Sequence, residues 1–95
     1  MEFLENYNFT NDEIASLKSD IPSRVLDVLV EQQKQVLSNI DYLKNLGISN
    51  YKDVFKNYYE MFLLDDTNFK AIFEKYDKAD LIDKIAKNIN IIEYL

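Results

Sequence analysis

Glycine and proline each occur only once in this 95-residue chain, as Gly47 and Pro22. Sheet proteins use such residues at many of their turns, because tight turns need backbone angles that glycine and proline supply. Hydrophobic residues make up 47% of the chain and charged residues 29%, which is typical of a folded globular domain. The sequence therefore predicts a single all-helical domain over residues 1–95.

Capping signals divide the first half of the chain into helices. A short opening helix is expected to end near Asn8, a residue that tolerates a left-handed cap conformation. Thr10 and Glu13 form a capping-box pattern for a helix expected to run to about Ser19. Pro22 suits a first helical turn, so the longest helix is expected over residues 22–46. The fold predicted overall is a compact bundle or short stack of five or six helices.

The second half shows similar signals. Gly47 is placed as a left-handed residue that ends the long helix in a Schellman turn, and Ser49 as the cap of a helix over about residues 50–63. Asp65 and Asp66 are candidate caps for a helix over about residues 67–76. Asp77 is the expected cap of a further helix, which Asn88-Ile89-Asn90 interrupts, and the apolar turn over residues 91–95 is expected to dock on the body of the protein.

An internal repeat relates two parts of the chain at an offset of 39 residues. Residues 3–11 align with residues 42–50, so that apolar positions match, Asn6 matches Asn45, and the hydroxyl residue Thr10 matches Ser49. A third, poorer copy begins at residues 72–76. Repeated units of this size stack because none buries its apolar face alone, so two to three helix-turn-helix units are expected.

The run Tyr42-Leu43-Lys44-Asn45-Leu46-Gly47-Ile48-Ser49, its earlier copy over residues 3–10, and Ile21-Pro22 together resemble the repeats of the mitochondrial transcription termination factor family. The second copy differs in having Tyr58-Tyr59-Glu60 where the family has a proline. The resemblance implies a helical solenoid that binds nucleic acid through basic residues on its concave side.

Several kinds of chemistry are excluded by composition. The chain has no Cys and no His, which excludes disulfides, thiolate nucleophiles, imidazole bases and metal sites built on sulfur or imidazole. The acids Asp77, Asp80 and Asp83 are spaced to share one side of a helix, where they could hold a divalent cation. A structural role is favoured instead, because acidic residues stabilise a helix start and because Asp80 and Asp83 lie four residues before Lys84 and Lys87, the spacing of helical ion pairs. No catalytic residue, metal or cofactor is predicted.

The charge balance indicates the kind of partner. Asp and Glu total 17 against 11 for Lys and Arg, a net charge of −6, which is the wrong sign for most nucleic-acid-binding proteins. An acidic surface favours a basic protein partner by electrostatic steering. No run of apolar residues is long enough to span a membrane, so no membrane partner and a cytoplasmic location are expected.

Tyrosines provide the candidate partner-binding residues. Eight of the 13 Phe and Tyr residues lie between Tyr51 and Tyr76, and the phenylalanines among them are expected in the core. Tyrosine is enriched at protein interfaces because it combines a large contact area with a polar tip. The predicted partner-binding residues are Tyr51, Tyr58, Tyr59, Glu60, Asp65 and Asp66.

Three functions are consistent with these features. The first is a non-enzymatic acidic protein that binds another protein, as an inhibitor or regulator of nucleic-acid-handling machinery. A single Arg beside abundant Lys, Asn and Ile, typical of AT-rich coding, points to a low-GC bacterium, its phages or its mobile elements. The second is nucleic-acid binding through the repeats. The third is a homo-oligomer that associates through the apolar tail, residues 89–95.

Overall fold

Helical segments account for 81% of residues 1–95, all of which the computed structural model describes, and no strand is present. The six α-helices are α1 (Asn11–Asp20), α2 (Ser23–Glu31), α3 (Gln33–Leu46), α4 (Tyr51–Tyr58), α5 (Asp66–Glu74) and α6 (Lys78–Lys87). Three 3₁₀ helices span Glu2–Tyr7, Tyr59–Leu63 and Ile89–Tyr94. The predicted all-helical fold is confirmed.

The helix starts follow the capping signals of the sequence. The Thr10 hydroxyl accepts from the Glu13 amide at 3.1 Å, and the Glu13 carboxylate accepts from the Thr10 amide at 2.9 Å, so the predicted capping box is present. Asp65 caps α5 by accepting from the Asn68 amide, and Asp77 caps α6 in the same way. These caps satisfy amides that a helix leaves without intrahelical partners.

The two better copies of the repeat share one backbone geometry. Asn8 and Gly47 are the two residues of the chain with positive φ, at 69° and 104°. Each is followed by an apolar residue whose amide reaches back to a buried leucine, from Phe9 to the Leu4 carbonyl and from Ile48 to the Leu43 carbonyl. Both ends are therefore Schellman turns, 39 residues apart as the alignment predicts. The third copy does not share the turn, since α5 ends at Glu74 without a left-handed residue.

The expected long helix over residues 22–46 is wrong, because it is two helices. Gln32 lies between α2 and α3 with φ −100° and ψ 26°, outside the α-helical region. The surrounding polar residues 31–34 are exposed, so water can satisfy the backbone groups that the break releases. One residue thus interrupts the α-helical geometry, and α3 begins directly after it at Gln33.

Two predictions for residues 49–63 also need correction. The helix expected over residues 50–63 stops at Tyr58, whose φ of −136° ends the α-helical geometry, and continues as the second 3₁₀ helix. Ser49 does not cap α4. The cap position is held by Asn50, whose side chain donates instead to the Ile85 carbonyl at 3.1 Å and so connects α4 to the end of α6.

The core is organised around α3, which packs against α2, α4, α5 and the first two 3₁₀ helices. A continuous series of aromatic contacts crosses it, with ring centroids 5.1 to 5.9 Å apart, through Phe9, Phe55, Phe62, Phe69 and Phe73. The predicted core phenylalanines are thus confirmed. The radius of gyration of 12.9 Å is close to the roughly 12 Å of a compact domain of this length, so the units surround one core.

The apolar tail docks on the body of the protein, as expected. The third 3₁₀ helix packs against α6, Ile92 is buried, and Ile89, Ile91 and Leu95 lie half-buried against the core. The chain therefore covers most of this apolar surface itself. None of the helices combines the length and apolar character that crossing a bilayer requires.

Candidate interaction surface

Several tyrosines lie near the junction of α4 and the second 3₁₀ helix. Tyr58 and Tyr59 are half-buried, and the exposed Glu60 follows them. Residues 57–61 line a shallow depression of about 280 Å³. Tyr94 lies close to Tyr58 and is 82% exposed, the most exposed large apolar side chain of the protein. We call Tyr58, Tyr59, Glu60 and Tyr94 the tyrosine face.

Tyr58 is fixed by its neighbours on the third 3₁₀ helix. Its hydroxyl donates to Asn90 Oδ1 at 3.3 Å. Partial burial raises the pKa of the Tyr58 phenol above its ordinary value of 10.0, and the nearby Glu93 carboxylate raises it further. The phenol therefore stays neutral around physiological pH and keeps its proton for donation.

The second 3₁₀ helix is held in place by Asn39 of α3, the one buried polar residue of the protein. The Asn39 side-chain amide donates to the carbonyl of Phe62 at 2.9 Å and to that of Leu64 at 2.8 Å. The sequence patterns did not predict this role. A signal was available, because Asn39 lies next to Ile40 and four residues before Leu43, on the side of α3 that faces the core.

The predicted partner-binding acids Asp65 and Asp66 are both engaged with their own chain. Asp65 caps α5. The Asp66 carboxylate accepts from Gln35 Nε2 at 2.7 Å and from Ser38 Oγ at 2.9 Å, and these hydrogen bonds hold the pKa of Asp66 below its ordinary value of 3.8. Both acids remain exposed, so each also adds negative charge to the surface.

Tyr51 does not belong to this surface, which corrects its prediction as a partner-binding residue. Its ring is buried, its hydroxyl donates to the Tyr7 carbonyl at 2.8 Å, and that hydroxyl accepts from Asn8 Nδ2 at 3.3 Å. Tyr51 thus joins α4 to the left-handed turn of the first repeat copy. A sequence pattern that gives only the spacing of tyrosines does not show this long-range contact.

A second depression, of about 240 Å³, lies between α2 and the second 3₁₀ helix. Val25, Val28 and Leu63 form its apolar part, and Arg24 and Glu60 its charged part, so it meets the tyrosine face at Glu60. Val28 is 41% exposed. The sequence patterns did not predict this patch, although a signal was available, because Val28 points about 100° away from the buried Leu29 around α2.

The acids of α6 form the ion pairs expected of them. Lys84 lies 3.0 Å from Asp80 and Lys87 lies 2.9 Å from Asp83, each pair on exposed side chains, while Asp77 is the helix cap. Nowhere do three His, Cys, Asp or Glu residues come together in a group that could hold a metal ion. The arrangement of polar groups is that of a solvated, salt-bridged helix surface.

Comparison with protein-family models, with curated proteins and with solved structures finds no match for this chain. The resemblance to mitochondrial transcription termination factor repeats therefore stays a prediction that rests on the leucine pattern and the shared turn.

Proposed function

We propose that this protein is a non-enzymatic, acidic binding protein that acts by contact with a basic protein. The observation that carries the proposal is the tyrosine face, where Tyr94 is 82% exposed beside the half-buried Tyr58 and Tyr59. Two half-buried tyrosines that line a depression, with an exposed tyrosine nearby, offer a large contact area at low entropic cost, as in interface hot spots.

The charge of the tyrosine face supports a basic partner. Glu60 lies within it and Glu93 lies beside it, and neither takes part in any of the five ion pairs of the structure. Unpaired carboxylates next to aromatic rings suit lysine and arginine side chains, which pair with the carboxylates and also stack on tyrosine. The net charge of −6 adds long-range attraction.

The class of partner that we propose is a protein of the nucleic-acid-handling machinery. Such proteins present basic grooves to phosphate, and a small acidic protein that occupies the groove competes with nucleic acid for it. We therefore infer a role as an inhibitor or regulator, of the kind that phages and mobile elements carry. The biased use of Lys over Arg in the sequence supports this origin.

The test is retention of proteins from a low-GC bacterial lysate on the immobilised chain at low and at high salt. Three variants accompany the wild type: Tyr59→Ala, Glu60→Lys, and Tyr76→Ala as the matched control, because Tyr76 is 41% exposed but lies outside the tyrosine face. We expect a nucleic-acid-handling protein to be retained at low salt by the wild type and the control, and lost with the other two variants.

Two results would contradict the proposal. If no nucleic-acid-handling protein is retained at low salt, the proposed partner class is wrong. If duplex DNA itself binds the chain with an affinity that falls steeply as salt rises, the chain contacts phosphates directly, and nucleic-acid binding through the repeats is the better account.

A further inference from the structure

One face of α2 carries charges of both signs in an order that is complementary to itself. Arg24, Val28 and Glu31 are spaced i, i+4 and i+7, so they form one stripe along the helix, which we call the α2 stripe. Arg24 and Glu31 are exposed, Val28 is 41% exposed, and neither charge belongs to an ion pair of the structure.

We infer that the α2 stripe pairs with the α2 stripe of a second copy of this chain, in antiparallel orientation around a twofold axis near Val28. A twofold axis brings the same patch of two copies together, so every contact between two different residues occurs twice. Antiparallel α2 helices would place Arg24 of each copy opposite Glu31 of the other. The valines would meet between the two ion pairs.

Other features of α2 agree with this arrangement. Arg24 is the only arginine of the chain, and its planar guanidinium suits a carboxylate partner better than lysine does. Val25 and Leu63, which line the depression beside Val28, extend the apolar part of the contact. Asp27 lies at the edge of the stripe, where water can solvate it. This partner is distinct from the basic protein proposed above, and the two faces adjoin only at Glu60.

The small size of the contact sets its strength. A nine-residue helix is about 13 Å long, so two such helices bury less area than the roughly 1,200 Å² at the lower end of stable interfaces. The dimer should therefore be weak, with a dissociation constant on the order of 100 μM. Because the ion pairs are at the surface, raising the salt concentration should weaken the dimer further.

The experiment is sedimentation equilibrium of the wild-type chain and of two charge-reversal variants, Arg24→Glu and Glu31→Arg. Each variant alone places like charges opposite each other at both ends of the stripe, so we expect about a tenfold loss of self-association. Mixing the two variants restores opposite charges at both ends, so we expect a mixed dimer of about wild-type affinity. Lys78→Glu and Glu74→Arg are the matched controls, which make the same charge changes at exposed positions away from α2.

Circular dichroism of each variant shows whether it is folded before its sedimentation is measured. A wild-type chain that stays monomeric at concentrations ten times the expected dissociation constant would overturn the inference. So would a dimer that tolerates both reversals, or a mixture of the two variants that stays monomeric while each variant is folded. None of these results bears on the tyrosine face, which the variants leave unchanged.

Discussion

The side-chain amide of Asn39 lies 2.9 Å from the carbonyl oxygen of Phe62, and this hydrogen bond ties the middle of α3 to the segment that carries Tyr59 and Glu60. The same amide group also satisfies the Leu64 carbonyl. A buried carbonyl without a donor costs about 1–3 kcal/mol, so Asn39 stabilises two backbone groups where the chain leaves α-helical geometry.

Replacing Asn39 with aspartate keeps the size of the side chain but removes both donors. We expect Asn39→Asp to lower the free energy of unfolding by about 2–5 kcal/mol, because two carbonyls lose their partner and a carboxylate becomes buried. Denaturant unfolding measures this. Gln33→Glu makes the same chemical change at an exposed position of α3 and should be nearly neutral. A loss under about 1 kcal/mol for Asn39→Asp would show that these hydrogen bonds contribute little.

Leu43 lies on the side of α3 that faces the core, together with Val36 and Ile40. Its side chain is fully buried, so Leu43→Ala removes apolar contacts and leaves a cavity, and we expect a loss of about 2–5 kcal/mol in unfolding free energy. Lys34→Ala, at an exposed position of the same helix, is the control. If both variants unfold at the same denaturant concentration, Leu43 does not belong to the core.

A substitution at Gly47 tests how much stability depends on the left-handed turn that the two repeat copies share. At its φ of 104° a Cβ atom is strained, and it would lie 3.1 Å from the end of the Ile82 side chain. We expect Gly47→Ala to cost about 1–2 kcal/mol. Asn8→Gly at the equivalent turn introduces no strain at positive φ but removes the hydrogen bond from Asn8 Nδ2 to the Tyr51 hydroxyl, so we expect a smaller loss, of less than about 1 kcal/mol. If thermal unfolding shows that Gly47→Ala costs no more than Asn8→Gly, the positive φ of Gly47 does not strain an alanine.

Asp66 gives the fold a dependence on pH. Its pKa is lower in the folded chain than the ordinary 3.8, because Gln35 and Ser38 donate to the carboxylate. The resulting stabilisation is fully present above that ordinary pKa and is lost as the pH falls through the lower folded-state value. We expect the melting temperature of Asp66→Asn to fall less than that of the wild type between about pH 7 and about pH 3. If the melting temperatures of the variant and the wild type fall by the same amount, other acidic residues account for the whole pH dependence of stability.

Local signals were enough to predict the helix starts and ends that depend on nearby residues. The capping box at Thr10 and the Schellman turn at Gly47 involve hydrogen bonds between residues at most five apart, so short patterns contain the information. The same holds for the ion pair between Lys84 and Asp80, which lie one turn apart. The all-helical class follows from these local signals together with the scarcity of Gly and Pro.

Contacts between distant parts of the chain were not predictable in this way. The helix breaks at Gln32 and Tyr58 carry no glycine or proline, so neither break has a local signal in the sequence. Tyr51 was predicted to bind a partner, yet its ring is buried and its hydroxyl donates to a carbonyl 44 residues away. Two members of the tyrosine face, Tyr58 and Tyr94, are likewise neighbours only because the third 3₁₀ helix returns to α4.

The most direct test of the proposed function measures two changes in one variant relative to the wild type. These are the change in affinity for the retained basic protein and the change in folding stability. We expect Tyr59→Ala to weaken binding about 30-fold, the effect of losing a hot-spot contact of about 2 kcal/mol, with a smaller loss of folding stability. Isothermal titration calorimetry gives the first quantity and denaturant unfolding the second. Wild-type affinity together with a large loss of stability would show that Tyr59 serves the core, and would contradict the tyrosine face as the binding site.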